Sequence, residues 1–262
     1  MLESSPKLDV KRKVFVVLVA CLTVLPVSLC AQGPTPEQAH AQLEEATIKP
    51  SDPADKNRGF RWSGREVSIR NQSVFSLLIY AYAIHPKQIV NAPDWAKERY
   101  DIHGITNLTE TPKREQVREV LQQLLAERFS LKVHQEKKVL DVYTITVAKA
   151  GSKLTETKGG HSDQDGSGGE RGMTMHFTNN SLSDFAGGMQ YFLDRPVVDR
   201  TDLKGRYDFT LEWKPDLGST PEPNSFPDIF TAVQQQLGLR LNAVKDEADV
   251  LVIDSINHPS AN

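Results

Sequence analysis

The residues able to do chemistry in this 262-residue chain are scattered rather than grouped. His40, His85, His103, His134, His161, His176 and His258 are far apart in sequence, and none belongs to an HExxH pattern or an i, i+4 pair that would hold zinc on a helix. His134 and Glu136 form the best local pair, two residues apart on a strand and so on one face. There is neither a Gly-x-Ser-x-Gly elbow nor a Ser-x-x-Lys set, which leaves a serine hydrolase without a starting point. The two cysteines, Cys21 and Cys30, both fall near the N-terminus, so they provide no disulfide framework and no thiolate metal site. No cofactor and no metal are expected.

One polar motif occurs twice: Arg99-Tyr100-Asp101 and Arg206-Tyr207-Asp208. On a strand, alternation puts Arg and Asp on one face and Tyr on the other. That pattern describes either a solvent-facing ion pair over a packed tyrosine or a contact for a ligand or partner. Trp95 lies in the loop before the first copy, and Asp199 and Asp202 lie in the loop before the second. It is expected as a plug under that loop, with a carbohydrate platform as the alternative. The candidate binding residues are therefore Arg99, Asp101, Arg206, Asp208 and Trp95.

These motifs sit in elements that repeat at an offset of about 108 residues, the mark of a duplicated domain rather than a solenoid. Val67 to Ser73 leads into an apolar run through Tyr82, as Met175 to Ser181 leads into a run through Leu193. Val74, Leu77, Leu78 and Ala81 fall at i, i+3, i+4, i+7 and form one helical face, started by Asn71 or Ser73. In the second helix, preceded by Thr111-Pro112, the stripe is Val117, Val120, Leu121, Leu124 and Leu125. Its counterpart runs from Ile229 to Leu237 and is stopped by Gly238 as a left-handed cap. Strand patterns follow at 131–133 and 142–147, and again at 239–241 and 250–253, with Lys137-Lys138 read as a solvated turn. The fold class is α+β: two tandem copies of a small two-layer β-α-β-β-α-β-β module, each with two helices on one face of a sheet.

The domain plan is a signal peptide over 1–31, an N-terminal arm over 32–59 and a first module over 60–150. A Gly/Ser-rich linker over 151–172 and a second module over 173–257 complete it. In the arm, Glu45 to Pro50 reads as an edge strand ended by proline. Lys11-Arg12-Lys13 before the apolar run Val14 to Leu25 is an export signal, cut after Ala31 or Cys30. Membrane attachment would come only through that segment, left uncleaved or lipidated at Cys30. The protein is expected to be periplasmic or secreted. Removing residues 1–31 leaves 27 basic and 32 acidic side chains, which gives no electrostatic reason for a nucleic-acid partner.

Ala46-Thr47-Ile48-Lys49-Pro50, Leu124 to His134 with Glu136, Val147 to Leu154, Pro196 to Thr201 and Val250 to Asp254 together resemble a family of uncharacterised exported proteins abundant in soil acidobacteria. Some members of that family are joined to membrane metallopeptidases of the β-lactam-sensor type, whose motifs this chain does not show. The β-α-β-β-α-β order also resembles the short N-terminal domain of secretins and TonB-dependent receptors, which are protein-contact modules. The family has no established activity to carry over; the absence of a catalytic constellation favours a non-enzymatic envelope module that binds a protein or peptide, as the contact-module likeness would suit. The alternatives are an extracytoplasmic hydrolase, signalled by a polar cleft between the modules with acids of perturbed pKa, and a small-ligand sensor, signalled by a closed apolar pocket.

Overall fold

The computed structural model describes residues 40–215 and 225–260. The segment expected to direct export and the cleavage expected after it lie outside the described residues, as does most of the Pro-rich loop before Pro227. Among the described residues, no helix is long and apolar enough to cross a membrane.

In chain order the elements are β1 (Leu43–Pro50), β2 (Gly59–Ser63), β3 (Glu66–Ser73), α1 (Val74–Tyr82), β4 (Ile89–Val90), β5 (Arg99–Thr106), α2 (Arg114–Arg128) and β6 (Lys132–Val147). There follow β7 (Thr155–Glu156), β8 (Asp163–Gly169), β9 (Gly172–Asn180), α3 (Leu182–Met189), β10 (Val197–Asp199), β11 (Tyr207–Trp213), α4 (Ile229–Leu237) and β12 (Leu239–Ser255). The class is mixed α+β, with three mostly antiparallel four-stranded sheets ordered β1-β5-β3-β2, β10-β6-β12-β4 and β7-β11-β9-β8.

Local chemistry sets the helices where the periodicity places them. The Ser73 hydroxyl accepts the Ser76 N–H at 3.0 Å and starts α1, whose Val74, Leu77, Leu78 and Ala81 are wholly buried. Ser181 and Asp184 bond each other's backbone N–H in a capping box at α3. Asp228 caps α4 through the N–H groups of Phe230 and Thr231, and Gly238 ends it in the left-handed region at φ 65°. β1 is indeed an outer strand ending at Pro50.

The strands depart from expectation in the middle of the chain. Residues 132–147 form one strand and 239–255 another, paired antiparallel along nearly their whole length. Lys137-Lys138 is therefore no turn: Lys137 bonds Asp249 at 2.9 Å and Lys138 meets Glu136 at 3.3 Å within the ladder. The apolar pattern breaks there because this stretch crosses between two cores and is covered by neither. Val133, Leu251 and Ile253 pack in a first core with α1 and α2, whereas Ile145, Leu239 and Leu241 pack in a second with Phe177, Phe185 and Trp213. The halves thus share the central sheet rather than each closing its own, and the described residues belong to one compact unit.

That sharing is reciprocal: β4 lies parallel to β12, with Ile89 opposite Leu251, and β10 lies parallel to β6, with Val197 opposite Tyr143. Where the halves meet, Gln190 Nε2 donates to the Ala83 carbonyl at 2.8 Å and His85 Nε2 donates to the Leu193 carbonyl at 3.3 Å. His85 Nδ1 accepts the Lys87 N–H, which fixes that tautomer. Burial pushes the pKa of this histidine down. The Gly/Ser-rich stretch expected as a linker supplies β7, β8 and the start of β9. Ladder bonds need only backbone groups, so a sequence poor in side chains to bury still pairs with the open side of β9.

Candidate functional site

The Arg-Tyr-Asp segments are placed on β5 and β11 with the tyrosine inward, Tyr100 at 3% and Tyr207 at 6% exposure. Arg and Asp do not pair with each other. Each pair grips one asparagine in the left-handed region, Asn71 at φ 51° or Asn179 at φ 49°. Arg99 donates to the Asn71 carbonyl at 2.8 Å, and the Asn71 N–H donates to Asp101 at 2.9 Å. Arg206 donates to the Asn179 carbonyl at 2.9 Å, and the Asn179 N–H donates to Asp208 at 2.7 Å. The strand ladders slip in register at these asparagines, so each clamp holds a bulge that turns a strand into the start of α1 or α3. Asparagine tolerates that backbone region better than most residues, which accounts for the repeated residue type.

Burial raises the pKa of Asp101, but hydrogen bonds from the Asn71 N–H and the Ser51 hydroxyl, with Lys49 and Arg70 nearby, outweigh it and the net shift is downward. A carboxyl whose folded pKa is depressed contributes stability that is complete above its unfolded value, about 3.9, and lost as pH falls through the folded one. Denaturant unfolding measured from pH 5 to pH 2 is expected to show a shallower acid loss in Asp101→Asn than in the wild type. Equal slopes would remove the clamp from the acid response.

Trp95 lies in a short 3-10 turn, Asp94–Lys97, half-buried against the first core. Its indole stacks on the His258 ring at 4.2 Å, so the C-terminal tail covers the face that a carbohydrate would need. His134 stands exposed between two carboxylates, Asp254 at 2.8 Å from Nδ1 and Glu136 at 3.0 Å from Nε2. Its hydrogen bonds to Glu136 and then Asp254 raise its pKa. Both ring nitrogens are taken, and among the described residues no three His, Cys, Asp or Glu side chains converge as metal ligands.

A polar cleft of about 430 Å³ opens where the halves meet, between the start of α2 and α3. Its walls are largely committed to the fold. Asp184 caps α3, Gln164 Nε2 bonds Asn180 at 2.6 Å, and Arg114 donates to the side chain and backbone oxygens of Gln164 at 2.8 and 3.0 Å. Tyr191 borders the cleft and is 46% exposed as a residue. Burial of its hydroxyl raises the pKa, with Arg118 and Arg114 acting against that rise. No paired acids or nucleophile with its base emerge from this wall.

The sheet edges are more telling. Gln123 of α2 accepts the Leu43 N–H at 2.7 Å and donates to the Leu43 carbonyl at 3.3 Å, closing the outer side of β1 as a neighbouring strand would. Arg128 adds a bond to the Ala46 carbonyl. Gln236 of α4 does the same for β11, accepting the Glu212 N–H at 2.9 Å and donating to its carbonyl at 2.7 Å. Arg114 grips β8 at Gln164 but leaves the outward groups of Gly166 and Gly168 open, and β4 and β10 are too short to offer a ladder.

β2 is different. It joins β3 through the two-residue turn Gly64-Arg65, with Gly64 at φ 57°, so Ser63 and Glu66 form the closing bonded pair. The N–H and carbonyl groups of Phe60 and Trp62 then face outward, away from β3. Among the described residues nothing bonds them there. Beside this edge lies a depression of about 580 Å³ lined by Asn57, Arg58, Gly59, Phe60, Arg61, Ser68 and Arg70. Sequence reading missed β2, because Gly59 to Ser63 is short and carries only two apolar residues.

Fold and site together define a mixed α+β protein whose two halves share a central sheet and whose first sheet ends in an open, cationic strand. The chain belongs to the family described as protein of unknown function (DUF3738), which matches residues 76–256. No curated protein and no solved structure matches it.

Proposed function

We propose that this is an exported cell-envelope protein, periplasmic or secreted, that binds an extended segment of another protein or a peptide along the open edge of β2. The observation that carries this is the β2 edge itself: among the described residues nothing bonds the outward backbone groups of Phe60 and Trp62, and aromatic and cationic side chains flank them, whereas Gln123 and Gln236 close parts of β1 and β11 and the open part of β8 offers only glycine at its outward positions. A segment added there gains main-chain hydrogen bonds for affinity and alternate side-chain contacts for specificity. The basic and apolar N-terminal pattern supports export, and the likeness to envelope contact modules agrees with a binding role. The residues assembled at the cleft give no support to a hydrolase, and the cavities open to solvent rather than closing into the apolar pocket a sensor would use. In this reading the Arg-Tyr-Asp segments serve the scaffold that presents the edge.

We read the halves as copies of one ancestral unit. The support is the recurrence of the asparagine clamp at Asn71 and Asn179, and the junction contact between His85 and Leu193 at a separation of 108 residues.

Selection of a displayed library of linear peptides against the purified protein tests the function, with bound peptides mapped by amide hydrogen exchange. Slowed exchange at Phe60 and Trp62 is the expected result. Protection at Arg118 and Tyr191 instead would move the site to the cleft and overturn the proposal.

A further inference from the structure

The edge also specifies what should occupy it, and we infer, resting on the edge-binding reading above, that β2 accepts a strand of another polypeptide in which acidic residues alternate with apolar ones. Two faces of the edge lead to this independently.

The outer face is cationic. Gly59 stands opposite Arg70 and Arg61 opposite Ser68, so these four share one face of the sheet. Nothing lies within 4 Å of where a side chain at Gly59 would begin, which leaves Arg70 open to a strand lying beyond β2. With Arg58, the depression holds three arginines and no carboxylate, in a chain whose net charge is −3. Arg58 and Arg61 form no ion pair among the described residues, and Arg70 reaches Asp55 only at 4.0 Å. Asp55 and Asp101 lie near Arg70 but neither reaches Arg58 or Arg61, and a carboxylate set between Arg61 and Arg70 relieves the repulsion among the three while accepting charge-assisted hydrogen bonds.

The inner face is apolar. Phe60 and Trp62 turn toward the first core, half-buried. The Phe60 ring meets Tyr80 edge-on at 4.8 Å, and Tyr80 stacks on Tyr191 at 6.5 Å. Tyr80 is itself 45% exposed, so an aromatic ledge borders this face of the edge. The inward side chains of an added strand would rest on that ledge and bury it.

Two other occupants fit less well. A second copy joining β2 to β2 would set arginines against arginines, and edge arginines that merely discourage such pairing would need no aromatic ledge. A polyanion or anionic lipid would satisfy the arginines but leave the free backbone groups of Phe60 and Trp62 without partners.

The test uses three synthetic peptides of about ten residues, the length of a long strand. One alternates Glu with Val and Tyr, the second replaces every Glu by Gln, and the third replaces it by Lys. Each is titrated against the wild type and the double variant Arg61→Gln/Arg70→Gln, with amide exchange read at Phe60 and Trp62. Both arginines are exposed, so an unchanged unfolding midpoint verifies that the variant is folded. The expected result is that the Glu peptide binds and protects both amides. The Gln peptide, or the Arg variant with the Glu peptide, is expected to bind about tenfold more weakly, the effect of two exposed charge pairs. Equal binding of the Glu and Gln peptides overturns the acidic specificity while leaving edge docking in place. If no peptide protects Phe60 and Trp62, edge docking falls as well. Binding only to phosphatidylglycerol vesicles, or concentration-dependent self-association that protects the same amides, overturns the inference in favour of a lipid or a second copy.

Discussion

Trp213→Ala is expected to lower the stability of the whole protein by about 3–5 kcal/mol, the cost of removing a large buried aromatic, and to do so in a single transition. Trp213 is 1% exposed in the second core, edge-on to Phe192 at 5.0 Å. If the halves were independent, the loss would stay in the second. They are not, because β6 and β12 each supply residues to both cores, and unpairing either strand at one end loosens its ladder at the other. The chain offers its own reporter: of its three tryptophans, the remaining two, Trp62 and Trp95, pack against the first core. Their fluorescence in Trp213→Ala therefore follows the half that was not mutated. A fluorescence midpoint shifted together with the circular-dichroism midpoint is the expected outcome. An unmoved fluorescence transition, with an earlier one seen only by circular dichroism, would show two separately folding halves.

The second large effect is expected at Gly238. Its φ of 65° ends α4, and a Cβ there would run into the Gly151 carbonyl. Gly238→Ala should cost about 2–3 kcal/mol, combining left-handed strain with displacement of a backbone segment. Gly64→Ala separates the two contributions, since Gly64 has φ 57° and nothing within 4 Å of its Cβ position. That variant should cost only about 1 kcal/mol. The chain already carries the equivalent of this milder case, because α1 ends on Ala83 at φ 51°. Urea midpoints of the two variants decide the matter, and equal midpoints would mean that the Gly151 segment moves aside freely.

Much of the scaffold was legible in the sequence because its determinants are local. The α1 stripe Val74, Leu77, Leu78 and Ala81, the serine and aspartate caps and the stop at Gly238 depend on neighbours within one or two helical turns. The inward tyrosine of each Arg-Tyr-Asp segment follows from strand alternation. The duty of its flanking residues did not, since an ion pair and a grip on a distant asparagine draw on the same residue types. The β2 edge escaped notice for another reason. A strand is recognisable by what it buries, whereas an edge is defined by what fails to cover it.

By itself, then, the sequence determined the helices, their caps, the recurrence of one motif at a fixed offset and the burial of its tyrosines, all of which rest on short-range periodicity and backbone preference. Only the tertiary structure decided that β6 and β12 run unbroken through both cores, that Gln123 and Gln236 stand in for missing strands, and that β2 is left open. Those outcomes depend on which distant backbone groups find partners, and hydrogen-bonding groups identical along the chain carry no mark of which one a fold will leave unpaired.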